Sequence, residues 1–119
     1  MAKVLLAEDD ETMVGLLTTL LHMDGFEVNA VDADDDVVAA VRQYRPEFLV
    51  LDVHLSHQNG LDVLEAIRKA DGKDRTHVIM ISGLNVREES LRRGADEFLL
   101  KPFMPDDLMS LLRKKNVKA

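Results

Sequence analysis

Side chains capable of chemistry recur in this sequence directly after short apolar runs. Glu8, Asp9 and Asp10 follow Val4-Leu5-Leu6-Ala7, and Asp52 follows Phe48-Leu49-Val50-Leu51. Ser82 closes the run Val78-Ile79-Met80-Ile81, and Lys101 comes after Phe98-Leu99-Leu100. A carboxylate at the end of an apolar run brings no structural benefit, whereas in an open parallel sheet the carboxyl ends of strands are where ligands sit. Carboxylates gathered there repel one another unless a cation joins them, and an all-oxygen set suits Mg²⁺, which keeps several of its waters. Lys101 offers a positive group for an anion beside the metal, and Ser82 offers a hydroxyl. A metal, an ammonium and a hydroxyl around Asp52 describe a phosphoryl pocket, with Asp52 as the nucleophile that becomes an aspartyl phosphate.

For those residues to meet, the intervening chain must return to the same edge each time. Thr12 to Met23 carries Met13, Leu16, Leu17, Leu20 and Leu21 at helical spacing, with Asp9 or Asp10 placed to cap it and Gly25 to end it. Phe26 to Val31 alternates as a strand. A helix is expected from about Ala33 to Tyr44, with a stripe of Val37, Val38 and Val41 and its aspartates in the first turn, until Pro46 breaks it. The Asp52 strand follows, then the polar turn Ser56-His57-Gln58-Asn59-Gly60, whose Asn and Gly suit left-handed backbone. Leu61 to Ala70 is helical, residues 71–74 form a loop, and His77 to Ile81 is a strand ending at Ser82-Gly83. A short helix from Arg87 to Arg93 closes at Gly94, Glu97 to Leu100 is the last strand, and Pro105 to Lys115 is an amphipathic helix opened by its proline. This alternation predicts an α/β fold: a doubly wound five-stranded parallel sheet, a flavodoxin-like (βα)5 three-layer sandwich. Its carboxyl edge would collect all the residues named above.

Composition narrows the classes further. A chain of 119 residues with 46% hydrophobic and 31% charged residues is the size and mix of one globular domain. It has no run of about twenty apolar residues, and its opening apolar run is too short for a signal peptide, so a cytoplasmic protein with no membrane segment is expected. The absence of cysteine excludes a disulfide-stapled scaffold. A net charge of −7 argues against direct nucleic-acid binding by this chain, because such affinity depends on cationic side chains releasing phosphate counterions. The acidic clusters at residues 8–11 and around Asp32, Asp34, Asp35 and Asp36 have a plain alternative account as solvated faces or helix starts.

The motifs Ala7-Glu8-Asp9-Asp10, Leu51-Asp52, Ser82-Gly83 and Lys101-Pro102-Phe103, in that order and at those intervals, resemble the receiver domain of two-component response regulators. The similarity runs from about Lys3 to Lys114. It implies a single receiver domain over residues 1–119, with no effector domain in this chain, and a signalling module rather than an enzyme. Such a module promotes only its own phosphorylation and autodephosphorylation. Asp52 matches the phosphoacceptor, loaded by a histidine kinase or a histidine phosphotransfer protein. Asp9 matches a direct ligand of Mg²⁺ or Mn²⁺ and Glu8 one that acts through water, with Asp52 and the backbone carbonyl of His54 completing the set. Ser82 matches the hydroxyl that moves toward the phosphoryl oxygens, and Lys101 the lysine that binds them. Phe98 stands at the aromatic switch position, and the Lys101-Pro102 peptide is expected to be cis. Output would pass to a second copy of the chain or to a downstream protein. The His54 side chain would flank the phosphoryl group and, with Leu84, set its lifetime.

Simpler readings stand beside these. Helix capping explains Asp10 better than metal binding does. A strand aromatic such as Phe98 is ordinarily core, and His22, His57 and His77 show no metal-ligand spacing. Ser56 stands where the family commonly has proline. The segment from Ser82 to Gly94 is about one helical turn short for the family, so a truncated or irregular fourth helix is expected over Asn85 to Arg93. Two rivals share the pattern in part. A phosphatase of the haloacid dehalogenase type needs a second acid where His54 stands, and a flavodoxin-like cofactor binder needs a phosphate-cradling loop where Glu8-Asp9-Asp10-Glu11 would repel one.

Overall fold

The computed structural model describes residues 2–32, 35–70 and 75–116. Strands and helices alternate throughout: β1 Lys3–Ala7, α1 Glu11–Met23, β2 Glu27–Ala30, α2 Val37–Tyr44, β3 Phe48–Asp52, α3 Gly60–Ala70, β4 His77–Ser82, α4 Arg87–Arg92, β5 Glu97–Leu100 and α5 Pro105–Asn116. The strands form one 5-stranded sheet in the order β2-β1-β3-β4-β5, and every pairing is parallel. The doubly wound sandwich expected from the alternation is the fold observed. Among the described residues no helix is long and apolar enough to cross a membrane.

Burial explains the unbroken apolar strands. Every residue of β3 is buried, as is β4 after His77, which a parallel sheet covered on both faces demands. Successive side chains enter opposite cores. Leu5, Leu49, Leu51, Val78 and Met80 pack with Val37, Val41, Leu64 and Ile67 of α2 and α3, while Leu6, Val50, Ile79 and Ile81 pack with Leu17, Leu21, Leu108 and Leu112 of α1 and α5. Each fully buried aliphatic side chain contributes about 1.5–3 kcal/mol, so a slip in register would move these residues to the wrong core.

Local chemistry sets the helix ends. Asp10 caps α1 by accepting the Met13 N–H at 3.1 Å. The second helix begins later than the sequence suggests: Asp36 is its N-cap, accepting the Ala39 N–H at 3.2 Å, and its first turn holds no acid. The carboxylates instead stabilise the turn that precedes it, where Asp35 Oδ2 accepts the Asp32 N–H at 3.2 Å. Short acidic side chains compete for backbone donors and so favour caps and turns over helix interiors. The expected start at Ala33, with Asp34 and the loop 71–74, lies outside the described residues.

Gly60 also has a different reason from the one read in the sequence. Its φ is not positive, but a Cβ there would lie 2.2 Å from the Asp52 carbonyl oxygen. The start of α3 is pressed against the backbone of Asp52, and only glycine permits it. Among the described residues other than glycine, the left-handed one is Arg45, at φ 52, which ends α2 just before Pro46. The fourth helix is short, as expected: it covers Arg87–Arg92 and lacks a side-chain N-cap. Arg93 at its end binds Asp62 at 2.9 Å and also Glu65, tying α4 to α3.

Candidate functional site

The carboxyl edge of the sheet brings Glu8, Asp9, Asp52 and Lys101 together. Asp52 ends β3 and is 4% exposed. Lys101 Nζ donates to Asp52 Oδ2 at 2.7 Å and lies 2.6 Å from Glu8 Oε2, an ion contact rather than an aligned hydrogen bond. One ammonium is thus shared by two buried carboxylates. The remaining Asp52 oxygen, Oδ1, accepts the His54 N–H at 3.0 Å, and Glu8 Oε1 accepts the Asp10 N–H at 3.1 Å. Lys101 is delivered to this point by its own N–H, which donates to the Ser82 carbonyl at 2.7 Å. The Lys101-Pro102 peptide that follows is cis, as expected.

These contacts shift the proton affinities. Burial pushes the Glu8 carboxyl above its ordinary value; the Lys101 ammonium offsets part of this and the neighbouring Asp52 adds to it. For Lys101, burial favours the neutral amine, but Asp52 and Glu8 together outweigh it and hold the ammonium above its usual range. The edge is therefore one coupled set of charges.

Asp9 is held differently. Its Oδ2 accepts the Ser56 N–H at 2.6 Å and the Ser56 hydroxyl, while its Oδ1 is buried with no hydrogen-bond partner. Among the described residues no group of three or more acidic, histidine or cysteine side chains is gathered closely enough to hold a metal ion; the ammonium of Lys101 is the cation between Glu8 and Asp52. The donor set nevertheless suits a hard divalent ion, because it is all oxygen and the Asp9 Oδ1 lone pairs are unclaimed.

Other candidates stand apart. Asp10 faces α1 as its cap. The Ser82 hydroxyl is completely buried and accepts the Leu84 N–H at 3.0 Å, so it is engaged in its own turn rather than with Asp52. Phe98 is buried in the core shared with Val78 and Met80, and its carbonyl accepts from Arg87 Nη1 at 3.4 Å. The His54 and Leu84 side chains are exposed beside the crevice loops. Ser56 joins the site only through Asp9, a tie between two loops 47 positions apart that no local sequence pattern reveals.

A doubly wound parallel sheet whose carboxyl edge joins acids from two strands to a lysine that follows a third is a flavodoxin-like α/β fold. The chain belongs to the family described as response regulator receiver domain, whose model matches residues 4–113. It is 28% identical over 116 residues to the DNA-binding response regulator MtrA of Mycolicibacterium paratuberculosis, covering 95% of this chain and 50% of that protein. The chain thus spans half the length of that relative. Among solved structures it resembles the receiver domain of the Francisella response regulator 1452, with a TM-score of 0.87 and 26% identity over 99% of this chain and 100% of that one. The Vibrio cholerae chemotaxis protein CheY4 superposes with a TM-score of 0.82 at 25% identity, covering 96% and 98% of the two chains. The protein is therefore a receiver domain of a signalling regulator, as the motif order suggests.

Proposed function

We propose that Asp52 accepts a phosphoryl group from the phosphohistidine of a histidine kinase or histidine phosphotransfer protein. The observation that carries this reading is the pairing of buried Asp52 with Lys101 at 2.7 Å. A carboxylate oxygen of Asp52 attacks phosphorus, the N–P bond breaks, and the imidazole departs as the aspartyl phosphate forms. Lys101 has a second carboxylate, Glu8, within 2.6 Å, so it stays at the edge when Asp52 is converted and can meet the phosphoryl oxygens. Glu8, Asp9, Asp52 and the His54 carbonyl would hold Mg²⁺ or Mn²⁺. When bound, that ion would neutralise charge on the transferring group.

The Ser82 hydroxyl, which accepts the Leu84 N–H, would donate its own proton to a phosphoryl oxygen, and turning it toward the phosphoryl group would move the turn after β4. Phe98 lies on the neighbouring strand, and its ring packs in the α2–α3 core, so that motion would be felt at β5 and the short α4. The module would act in the cytoplasm and pass its state to a second copy or a downstream protein; its charge of −7 disfavours direct contact with DNA.

Acetyl phosphate with Mg²⁺, followed by intact-mass measurement, tests the reading. The wild type should gain one phosphoryl group, and chelation of the metal or Asp52→Asn should prevent it. Equal uptake by Asp52→Asn would overturn the assignment.

A further inference from the structure

Asp9 is oriented from across the crevice by a residue 47 positions away in sequence. Ser56, in the loop between β3 and α3, donates both its N–H and its hydroxyl to the same oxygen, Asp9 Oδ2. The other oxygen, Oδ1, is left buried and without a hydrogen bond. Lys101, the nearby ammonium, pairs with Glu8 and Asp52. An unpaired carboxylate oxygen is costly to bury unless a cation joins it.

The bland role for a serine in such a loop is helix capping, and that role is already filled. Asn59 Oδ1 accepts the N–H groups of Leu61 at 2.8 Å and Asp62 at 3.4 Å at the start of α3. Both Ser56 donors point instead to the β1–α1 loop. Proline, common at this position in the family, has neither an N–H nor a hydroxyl. The tie to Asp9 is consequently a property of this chain's own residue.

We propose that Ser56 is a positioning residue for Asp9: it engages Oδ2 so that Oδ1 is presented, single and preoriented, to a hard divalent cation. This rests on the reading of Glu8, Asp9 and Asp52 as a metal site. Donors on one oxygen restrict rotation of the carboxylate, so little ordering remains to be done when the ion arrives. Loss of such an outer partner typically weakens metal binding by about 10–100-fold.

Mn²⁺ binding to the metal-free chain, followed by the paramagnetic resonance signal of the free ion, tests the proposal without reference to phosphorylation. Ser56→Ala, which keeps the N–H, should bind Mn²⁺ about 10-fold more weakly. Ser56→Thr should recover the wild-type affinity, and Ser56→Pro should bind no better than Ser56→Ala. Unchanged or tighter binding by Ser56→Ala overturns the proposal, as does failure of Ser56→Thr to recover. If the wild type takes up no Mn²⁺, or Asp9→Asn binds as tightly as the wild type, the metal site itself is wrong and the proposal falls with it.

Discussion

Lys101 Nζ and Asp52 Oδ2 meet at 2.7 Å although their strands are not neighbours, β4 lying between β3 and β5. The lysine reaches over the end of β4, where its own N–H is fixed to the Ser82 carbonyl, and there its single ammonium is shared by Asp52 and Glu8. Lys101→Met would leave both carboxylates buried and facing each other without a cation. Removing one partner of a buried pair costs about 3–5 kcal/mol, and because Lys101 is partly exposed the lower end applies. Urea unfolding without metal should show a loss of about 3 kcal/mol; no loss would mean that the pair does not support the fold.

The His54 imidazole is exposed beside Asp52, while its N–H is bound to Asp52 Oδ1 at 3.0 Å. If Asp52 carries the proposed acyl phosphate, a side chain there would limit the approach of water to it. His54→Ala should keep that backbone hydrogen bond and speed dephosphorylation several-fold. An unchanged decay rate, followed by mass after removal of the phosphodonor, would exclude His54 from this role.

Ser90 lies in α4 with its hydroxyl fully buried and without a partner. Such a group costs about 1–3 kcal/mol, and alanine is also the better helix former. Ser90→Ala should therefore stabilise the protein by about 1 kcal/mol in urea titration. Destabilisation would show that the hydroxyl does bind a partner in solution.

At the opposite edge of the sheet, Asp96 accepts from Arg68 at 2.9 Å, Arg75 at 2.6 Å and the Val78 N–H at 2.8 Å. Burial alone would raise its carboxyl, but the Val78 N–H and Arg75 outweigh it and hold it below the ordinary value. A depressed carboxyl stabilises the fold above the unfolded value of about 3.9, and that contribution is lost as pH falls through the folded value. Asp96→Asn should cost about 2 kcal/mol at neutral pH, with the deficit narrowing below about pH 4. A deficit independent of pH would contradict the ionic account.

Phe48 to Asp52 was legible in the sequence because burial on both faces demands an unbroken apolar run, which makes its terminal acid conspicuous. Lys101 was legible from the run Phe98-Leu99-Leu100 before it, although β5 is an edge strand in which only Phe98 is buried. The start of α2 was not, because an aspartate suits a cap, a preceding turn or a first helical turn equally well. Gly60 was read as a turn glycine, since nothing local reveals that α3 presses on the Asp52 carbonyl. The bond from Ser56 to Asp9 joins two loops and depends on tertiary placement that no local pattern encodes.

Asp52, among the acids of this edge, is the proposed carrier of the phosphoryl group. Borohydride reduces an acyl phosphate to the alcohol, so treating the acetyl phosphate–Mg²⁺ product and mapping its peptides locates the modified carboxylate directly. Reduction is expected at position 52 alone in the wild type. Reduction at Glu8, Asp9 or Asp10 with position 52 untouched would contradict that assignment.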